Sequence, residues 1–400
     1  MILAGGTGAG LSVLTRHRAK TALPFGGKYR IIDFCLSNCI NSDITDIYIL
    51  AQYNPKSLIE HIRMGKPWDL DRKSGGVTIL QPTFYGEAAH WYRGTGDAIY
   101  QNIDIIRDSG CEHVLVLSGD QVYLADYGRM VAFHLSHPGP VTIACRKVGA
   151  RESSRFGMVA CSGDGRVTRF REKPKKSGLD MASMGIYMFD REFLVRKFRK
   201  ERTDLVFDLL MPVIDSGKVY SYEMTGYWED IGSIPSYYRA SMGMLRKRNI
   251  LFDTERPVFT RGGDLPPAIF QDGSFVSNSI VAYGCRIEGR VENSILFPGV
   301  AVERDAQVTG SVVFSSARIG EGARVERTIM DKDVRAGAGS HTGSAEAPLT
   351  GELVECSDPE SSGLARKITV IGKGTLIQSG SSVPAGLAVE PGSRVRREGR

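Results

Sequence analysis

Residues Gly372–Val395 read GKGTLIQSGSSVPAGLAVEPGSRV, and from the residue before them Ile371, Ile377, Val383, Val389 and Val395 recur every six positions, with glycine or small residues between. A period of six belongs to a parallel β-helix, in which each triangular coil stacks an aliphatic side chain on the coil below and glycine turns the corners. An earlier block keeps the phase: Val302, Val308 and Val325 fit if one position is skipped near Arg318. Between the blocks, 337–366 contains the polar run SHTGSAEAPLTGELVECSDPESSGLAR and reads as an excursion loop from the stack. These features point to a parallel β-helix over 271–400.

Upstream the rhythm differs. To about residue 245, short apolar runs alternate with amphipathic stretches, as in a parallel sheet covered by helices. MILA, ITDIYIL, HVLVLSGD, VTIACRKV, ASMGIYMF and KVYSYEM read as strands, whereas RIIDFCLSNCINS, DAIYQNIDIIRDS and DYGRMVAFHLSH carry apolar residues at helical spacing. The expectation is an α/β, doubly wound (Rossmann-like) domain over 1–245, a linker over 246–270 containing RPVFTRGGDLPPAIF, and the β-helix beyond. In such a sheet, ligands sit outside the carboxyl ends of the strands.

Composition narrows the function. The chain has 400 residues, more than one hydrophobic core usually serves, so two domains are expected. A net charge of +6 without a basic run excludes a nucleic-acid arm and suits a small anionic ligand. The seven cysteines form no CxxC pair, which argues against a disulfide framework or a zinc ribbon. Without an apolar run of membrane length or a leader pattern, the expected location is cytoplasmic, with no membrane partner.

The chain opens MILAGGTGAG, and bare backbone N–H groups at Gly5, Gly6 and Gly8, ahead of an expected helix, suit a phosphate. Lys20 follows as a possible point charge or as ordinary surface. Only four residues precede the loop, fewer than a central strand usually has, so the native start is expected upstream of Met1. HVLVLSGDQVY delivers Asp120 at a strand's carboxyl end, either to hold a metal ion or as a turn residue. Asp230, in GYWEDIGS, is a second carboxylate able to share that ion. Glu172 and Lys173, in FREKPKKS, read as a clamp for a sugar phosphate or as an exposed ion pair. WYRGTGDAIYQN, with Tyr92, Gly94 and Thr95, suits a nucleotide or sugar phosphate, or domain packing.

LAGGTG, RAKTALPFGGKYRIIDFCLSNCINS, WYRGTGDAIYQN, LSGDQVY, FGMV, EKP, ASMGIYMF and YWEDIGS together resemble the glucose-1-phosphate adenylyltransferase family in order and spacing, over nearly the whole chain, and the resemblance implies that the C-terminal β-helix is a left-handed β-helix. The resemblance implies ATP and α-D-glucose 1-phosphate as substrates, ADP-glucose and pyrophosphate as products, and Mg²⁺ as cofactor. It assigns catalysis to Asp120 and Lys20, and the metal to Asp120 and Asp230. Glucose 1-phosphate falls to Tyr92, Gly157, Glu172, Lys173, Ser183, Tyr187, Asp204 and Trp228, and the nucleotide to Gly5, Gly6, Gly8, Gly94 and Thr95. It also implies a tetramer, homomeric or built with an active paralogue, controlled by metabolites bound between the two domains.

The sequence departs from the family at the first loop, where Gly10 stands in place of an arginine on the pyrophosphate side. Arg16 and Arg18 are the nearby cations able to compensate. Thr21 replaces a proline, His17 stands where some members have an effector-binding lysine, and the segment Gln81–Phe84 reads QPTF where a glutamine is expected. A catalytically weak regulatory subunit is therefore the alternative to an active enzyme. A pyrophosphorylase using UTP or glucosamine 1-phosphate is a further one. An acyltransferase is disfavoured, since only His341 lies in the β-helix to serve as a base.

Overall fold

The computed structural model describes residues 1–397 apart from 83, 86–87, 90, 199–202, 247–252, 345–351 and 355–358. Part of the QPTF segment, of the linker and of the excursion thus lies outside the described residues.

The N-terminal half is built on a nine-stranded sheet. We label its strands β1 (Ile2–Ala4), β2 (Asp46–Ala51), β3 (Gly76–Leu80), β4 (His113–Ser118), β5 (Val141–Lys147), β6 (Gly157–Cys161), β7 (Val167–Glu172), β8 (Met181–Asp190) and β9 (Val219–Glu223). The order β7-β6-β8-β4-β1-β2-β3 places short β1 at the centre, parallel to both neighbours, with Ile2 against Ile49 and Leu117. Its Ile2 and Ala4 are buried, as covering on both faces requires. On the other side, β8 runs antiparallel to β4, β5 and β6, and β5 pairs in parallel with β9.

Two local expectations are corrected. DAIYQNIDIIRDS forms two helices, Thr95–Tyr100 and Ile103–Asp108, rather than one. Asn102 is the reason: its side-chain amide donates to Ala98 O at 2.8 Å and Tyr92 Oη at 3.1 Å, competing with the backbone for the last carbonyls of the first helix. The glycine loop leads into no regular helix either. Ala9–Thr15 is a kinked 3-10 turn with Ser12 at φ 50°, so no aligned helix dipole faces the loop.

In the C-terminal half, three parallel ladders run the length of a triangular stack. Arg286 pairs with Ala301, Ala301 with Arg318 and Arg318 with Arg335, giving coils of 15, 17 and 17 residues. The missing position lies at the corner between Val308 and Val313, not near Arg318. There Ser294, Ser311 and Thr328 stack, each turning its hydroxyl back onto a carbonyl two residues earlier. The backbone N–H groups of Ser311 and Thr328 donate to the hydroxyls of the coil before, at 3.1 Å. A side-chain bond thus takes the place of one backbone residue in the turn. The last coil, which lacks this device, advances by 18, from Leu376 to Arg394.

The stack leaves its coil after Ser344 and resumes at Thr369. Glu352–Leu353 adds an antiparallel strand, and the helix Pro359–Ala365 packs on the helix Ile234–Met244, where Arg239 Nη2 donates to Ser361 Oγ at 2.9 Å.

The halves share one core. Leu11, Leu14, Phe25 and Phe34 bury against Tyr237, Ile295, Phe314 and Ile329. Tyr237 donates to Pro24 O at 2.7 Å. Arg18 reaches Asp331 at 2.7 Å, with 7% and 1% side-chain exposure. No described helix is long and apolar enough to cross a membrane.

Candidate active site

A cavity of about 360 Å³ opens beyond the carboxyl ends of β1 and β4, walled by Gly5, Gly6, Thr7, Lys20, Gln52, Tyr92, Gly94, Thr95 and Asp120 among others. A methyl group added at Gly6 would meet nothing within 4 Å, so this backbone is open to a ligand. Gly8 plays a different part from the one expected. It turns the chain at φ 70°, its carbonyl accepts from Thr15 Oγ1 at 2.9 Å, and it is not on the cavity wall.

Asp120 follows β4 through Gly119, where a side chain has no room because its Cβ would stand 2.8 Å from Ile2 Cγ2. Asp230 ends the short strand Trp228–Asp230, which pairs antiparallel with Gln121–Tyr123 in a register opposing Asp230 to Gln121. The two carboxylates, 110 positions apart in the chain, therefore meet. Each has a cation: Lys20 Nζ lies 2.6 Å from Asp120 Oδ2, and Arg155 Nη2 lies 3.1 Å from Asp230 Oδ2. Ser118 Oγ donates to the other Asp120 oxygen at 2.5 Å.

Burial raises both carboxylates, but Lys20 and Ser118 outweigh it at Asp120, which is held below its ordinary range. At Asp230, burial and the nearby Asp120 charge prevail over Lys20 and Arg155, and its affinity for a proton is raised. Burial pulls Lys20 down, yet the two carboxylates hold it above an ordinary lysine, so it stays charged. A carboxylate pair that needs two cations suits a hard divalent ion.

Along the antiparallel edge of the sheet lie the residues expected to bind sugar phosphate. Gly157 opposes Glu172, and a Cβ there would stand 2.9 Å from Glu172 Oε2 and 2.3 Å from the Phe170 ring. Glu172 is pushed up by burial and by Asp204 against the pull of Lys173. Lys173, at φ 42°, points its amine 3.8 Å from Glu172 and is largely exposed. Burial raises Tyr187, which hydrogen-bonds Ser183 and feels Glu172 and Asp204. Asp204 caps the helix Leu205–Leu210 through Val206 and Phe207 N–H, at 2.8 and 2.9 Å. Trp228 donates to Gln121 at 2.9 Å.

Some expected contacts are structural. Tyr92 N–H donates to Gln52 Oε1 at 2.7 Å, and Thr95 Oγ1 accepts from Leu205 N–H at 3.1 Å. Gly94 and Gly96 let the helix Thr95–Tyr100 dock on Thr203, whose carbonyl would lie 2.4 Å from a Cβ at Gly94. Arg16 and Arg18 do not reach this cavity. Arg16 pairs with Glu390 at 2.9 Å and Arg18 with Asp331, both on the β-helix.

Arg155 and Gln52 are the members that the sequence reading missed. No local pattern marks either one, because they reach the site from a 3-10 turn and from the residue just after β2.

A mixed α/β sheet with carboxylates beyond its central strands, followed by a hexapeptide β-helix, defines a sugar nucleotidyltransferase architecture. The nucleotidyl transferase family model matches residues 1–247, and the GlmU-like C-terminal hexapeptide model matches 266–348. Three glucose-1-phosphate adenylyltransferases, all bacterial, illustrate the likeness. The Pseudothermotoga lettingae protein is 43% identical, covering 77% of this chain and 75% of the relative. That of Clostridium novyi is 44% identical over 76% and 81%, and that of Clostridium acetobutylicum 43% over 77% and 84%. The chain belongs to the glucose-1-phosphate adenylyltransferase family and is a nucleotidyltransferase.

Proposed function

We propose that this enzyme transfers the adenylyl group of ATP to α-D-glucose 1-phosphate, giving ADP-glucose and pyrophosphate for glycogen synthesis in the cytoplasm. The observation that carries the reading is the double pair Lys20–Asp120 and Arg155–Asp230 beside a glycine-walled cavity.

A sugar-phosphate oxygen attacks the α-phosphorus of ATP; the new P–O bond forms as the bond to the β-phosphate oxygen breaks and its electrons leave with pyrophosphate. No base is needed, since the attacking phosphate is already an anion. Open backbone at Gly5 and Gly6 receives the nucleotide phosphates. Glu172, Lys173, Ser183, Tyr187, Asp204 and Trp228, with Gly157 clearing space, orient the sugar phosphate. Lys20 and Arg155 are the cations placed to meet charge developing on the phosphates, and such positioning supplies most of the rate. Asp120 and Asp230 would hold Mg²⁺, whose bound form supplies charge neutralisation at the phosphate oxygens.

The domain seam suits an anionic effector. Lys28, Arg30, His61, Arg261 and Lys332 line a cavity of about 180 Å³ there. Burial, then Arg30 and Arg18, push Lys332 down to about 8, which an anion would relieve. A tetramer is part of the same reading and is measured by light scattering on the purified protein.

The test is pyrophosphate release from ATP and glucose 1-phosphate with Mg²⁺. Asp120→Asn is expected to abolish it with unchanged circular dichroism, and near-normal turnover in that variant would refute the metal role. One observation favours the second reading, a catalytically weak regulatory subunit: Gly10 leaves the first loop without its arginine. Wild-type protein that binds glucose 1-phosphate yet releases no pyrophosphate would establish that reading instead.

A further inference from the structure

A second cluster of ligating side chains lies at the opposite end of the same sheet, and the reaction does not use it. His113 opens β4, Asp190 ends β8 opposite it, and His134 comes from the helix Tyr127–Leu135 packed beneath. With β4 rising about 3.3 Å per residue, His113 and Ser118 stand about 17 Å apart, so the cluster is separate from Asp120 and Asp230.

Both imidazoles address one carboxylate oxygen. His134 Nε2 lies 3.0 Å and His113 Nδ1 3.3 Å from Asp190 Oδ1, and the three ligand atoms all fall within 4.8 Å of one another. Ligands about 2.0–2.1 Å from a tetrahedral ion stand about 3.3 Å apart, which the two separations from Asp190 match. His113 Nδ1 is buried and has no hydrogen-bond partner, so a hydrogen-bonded network does not account for it.

A further shell of contacts orients the ring. Gly139 N–H donates to His137 Nδ1 at 3.1 Å, so neutral His137 carries its proton on Nε2 and donates it to Thr142 Oγ1 at 2.8 Å. Buried Thr142 also contacts His134 Nδ1 at 2.7 Å. Thr142 Oγ1 has a second lone pair, so it can accept from His134 Nδ1–H, which turns the Nε2 lone pair toward Asp190 and His113. His113 and Asp190 line a cavity of about 850 Å³, whose wall carries both acidic (Glu112, Glu192) and basic (Arg191, Lys218) side chains and leaves room for a fourth ligand.

We propose that His113, His134 and Asp190 bind a divalent transition cation, with Zn²⁺ the occupant that two imidazoles and one carboxylate favour, and with the fourth position open to the cavity. Mg²⁺ takes oxygen ligands and does not suit this set. Bound there, the ion ties β4, β8 and the helix together.

The test uses the full chain, stripped with a chelator and titrated with Zn²⁺ against a metallochromic indicator, with Mg²⁺ held in excess. The expected result is stoichiometric binding and a higher melting temperature at saturation. His113→Ala and Asp190→Asn abolish binding, whereas Thr142→Val weakens it by about 10-fold or more. His341→Ala, far along the β-helix, leaves it unchanged. Pyrophosphate release by His113→Ala, a substitution at a partly exposed strand end, verifies that this variant is folded. Absence of stoichiometric Zn²⁺ in wild type, wild-type affinity in folded His113→Ala, or displacement of the Zn²⁺ by Mg²⁺ overturns the proposal.

Discussion

Arg155 donates to Asp230 at 3.1 Å, with each side chain 22% exposed, so a guanidinium stands in the site although the first loop has lost its arginine. Loss of one donor to a transition-state anion costs about 10²–10³ in turnover. Arg155→Ala is expected to fall in that range and Arg155→Lys to keep part of the rate, because the charge remains while the planar fork is lost. Steady-state pyrophosphate release measures both. An Arg155→Ala enzyme with unchanged kcat would show that the guanidinium serves only to neutralise Asp230.

Gly10 is fixed by packing as well as missing a function. A Cβ at that position would stand 2.3 Å from Gly232 O, so the loop lies where only glycine fits. Gly10→Ala should lower stability by about 1–3 kcal/mol, as overpacking usually does. Gly10→Arg should destabilise at least as much and leave turnover no higher. A rise in turnover with Gly10→Arg would mean that the loop swings off Gly232 and that the arginine regains the phosphates.

Arg18 and Asp331 are a buried pair joining the two halves. Removing one partner strands the other charge, so Arg18→Ala should cost about 3–5 kcal/mol, whereas the double change Arg18→Met with Asp331→Leu should come near wild type. Denaturant unfolding of the three proteins checks this; equal losses in the single and double variants would deny that the pair acts as a unit.

Lys332 sets a pH dependence. Its proton is bound in the unfolded chain up to the ordinary lysine range but is lost from the folded protein above about 8. In that window the unfolded state binds more protons, so stability contributed by this group rises with pH. Lys332→Met should flatten the rise of melting temperature between about pH 8 and 10 relative to wild type. A parallel slope in the variant would assign the effect to other groups.

The architecture is legible in the sequence where a period repeats or an apolar run is long. Ile371 to Val395 announce the stack, and HVLVLSGD announces a central strand with Asp120 at its end. Local pattern misleads where a tertiary contact outvotes it. Asn102 breaks a helix by reaching Tyr92, and the glycine loop forgoes a helix because Leu11 and Leu14 must bury against the β-helix side of the shared core. Arg16 and Arg18 looked free for phosphate because nothing local reveals that Glu390 and Asp331 would claim them. Local sequence offers Asp120 and Asp230 as two carboxylates able to share an ion, and only the resemblance assigns them to one metal, since their meeting depends on the register of Gln121 against Asp230.

The stacked hydroxyls of Ser294, Ser311 and Thr328 set the step length of the solenoid, and so govern how its length can change. A residue inserted on a flat face would throw every later side chain out of register, inside for outside. Such a scaffold tolerates growth in whole coils, or as extra chain expelled at a corner where no ladder is interrupted. The departure after Ser344 and return at Thr369 follow the second route, marking that corner as the place where the domain can accept foreign sequence.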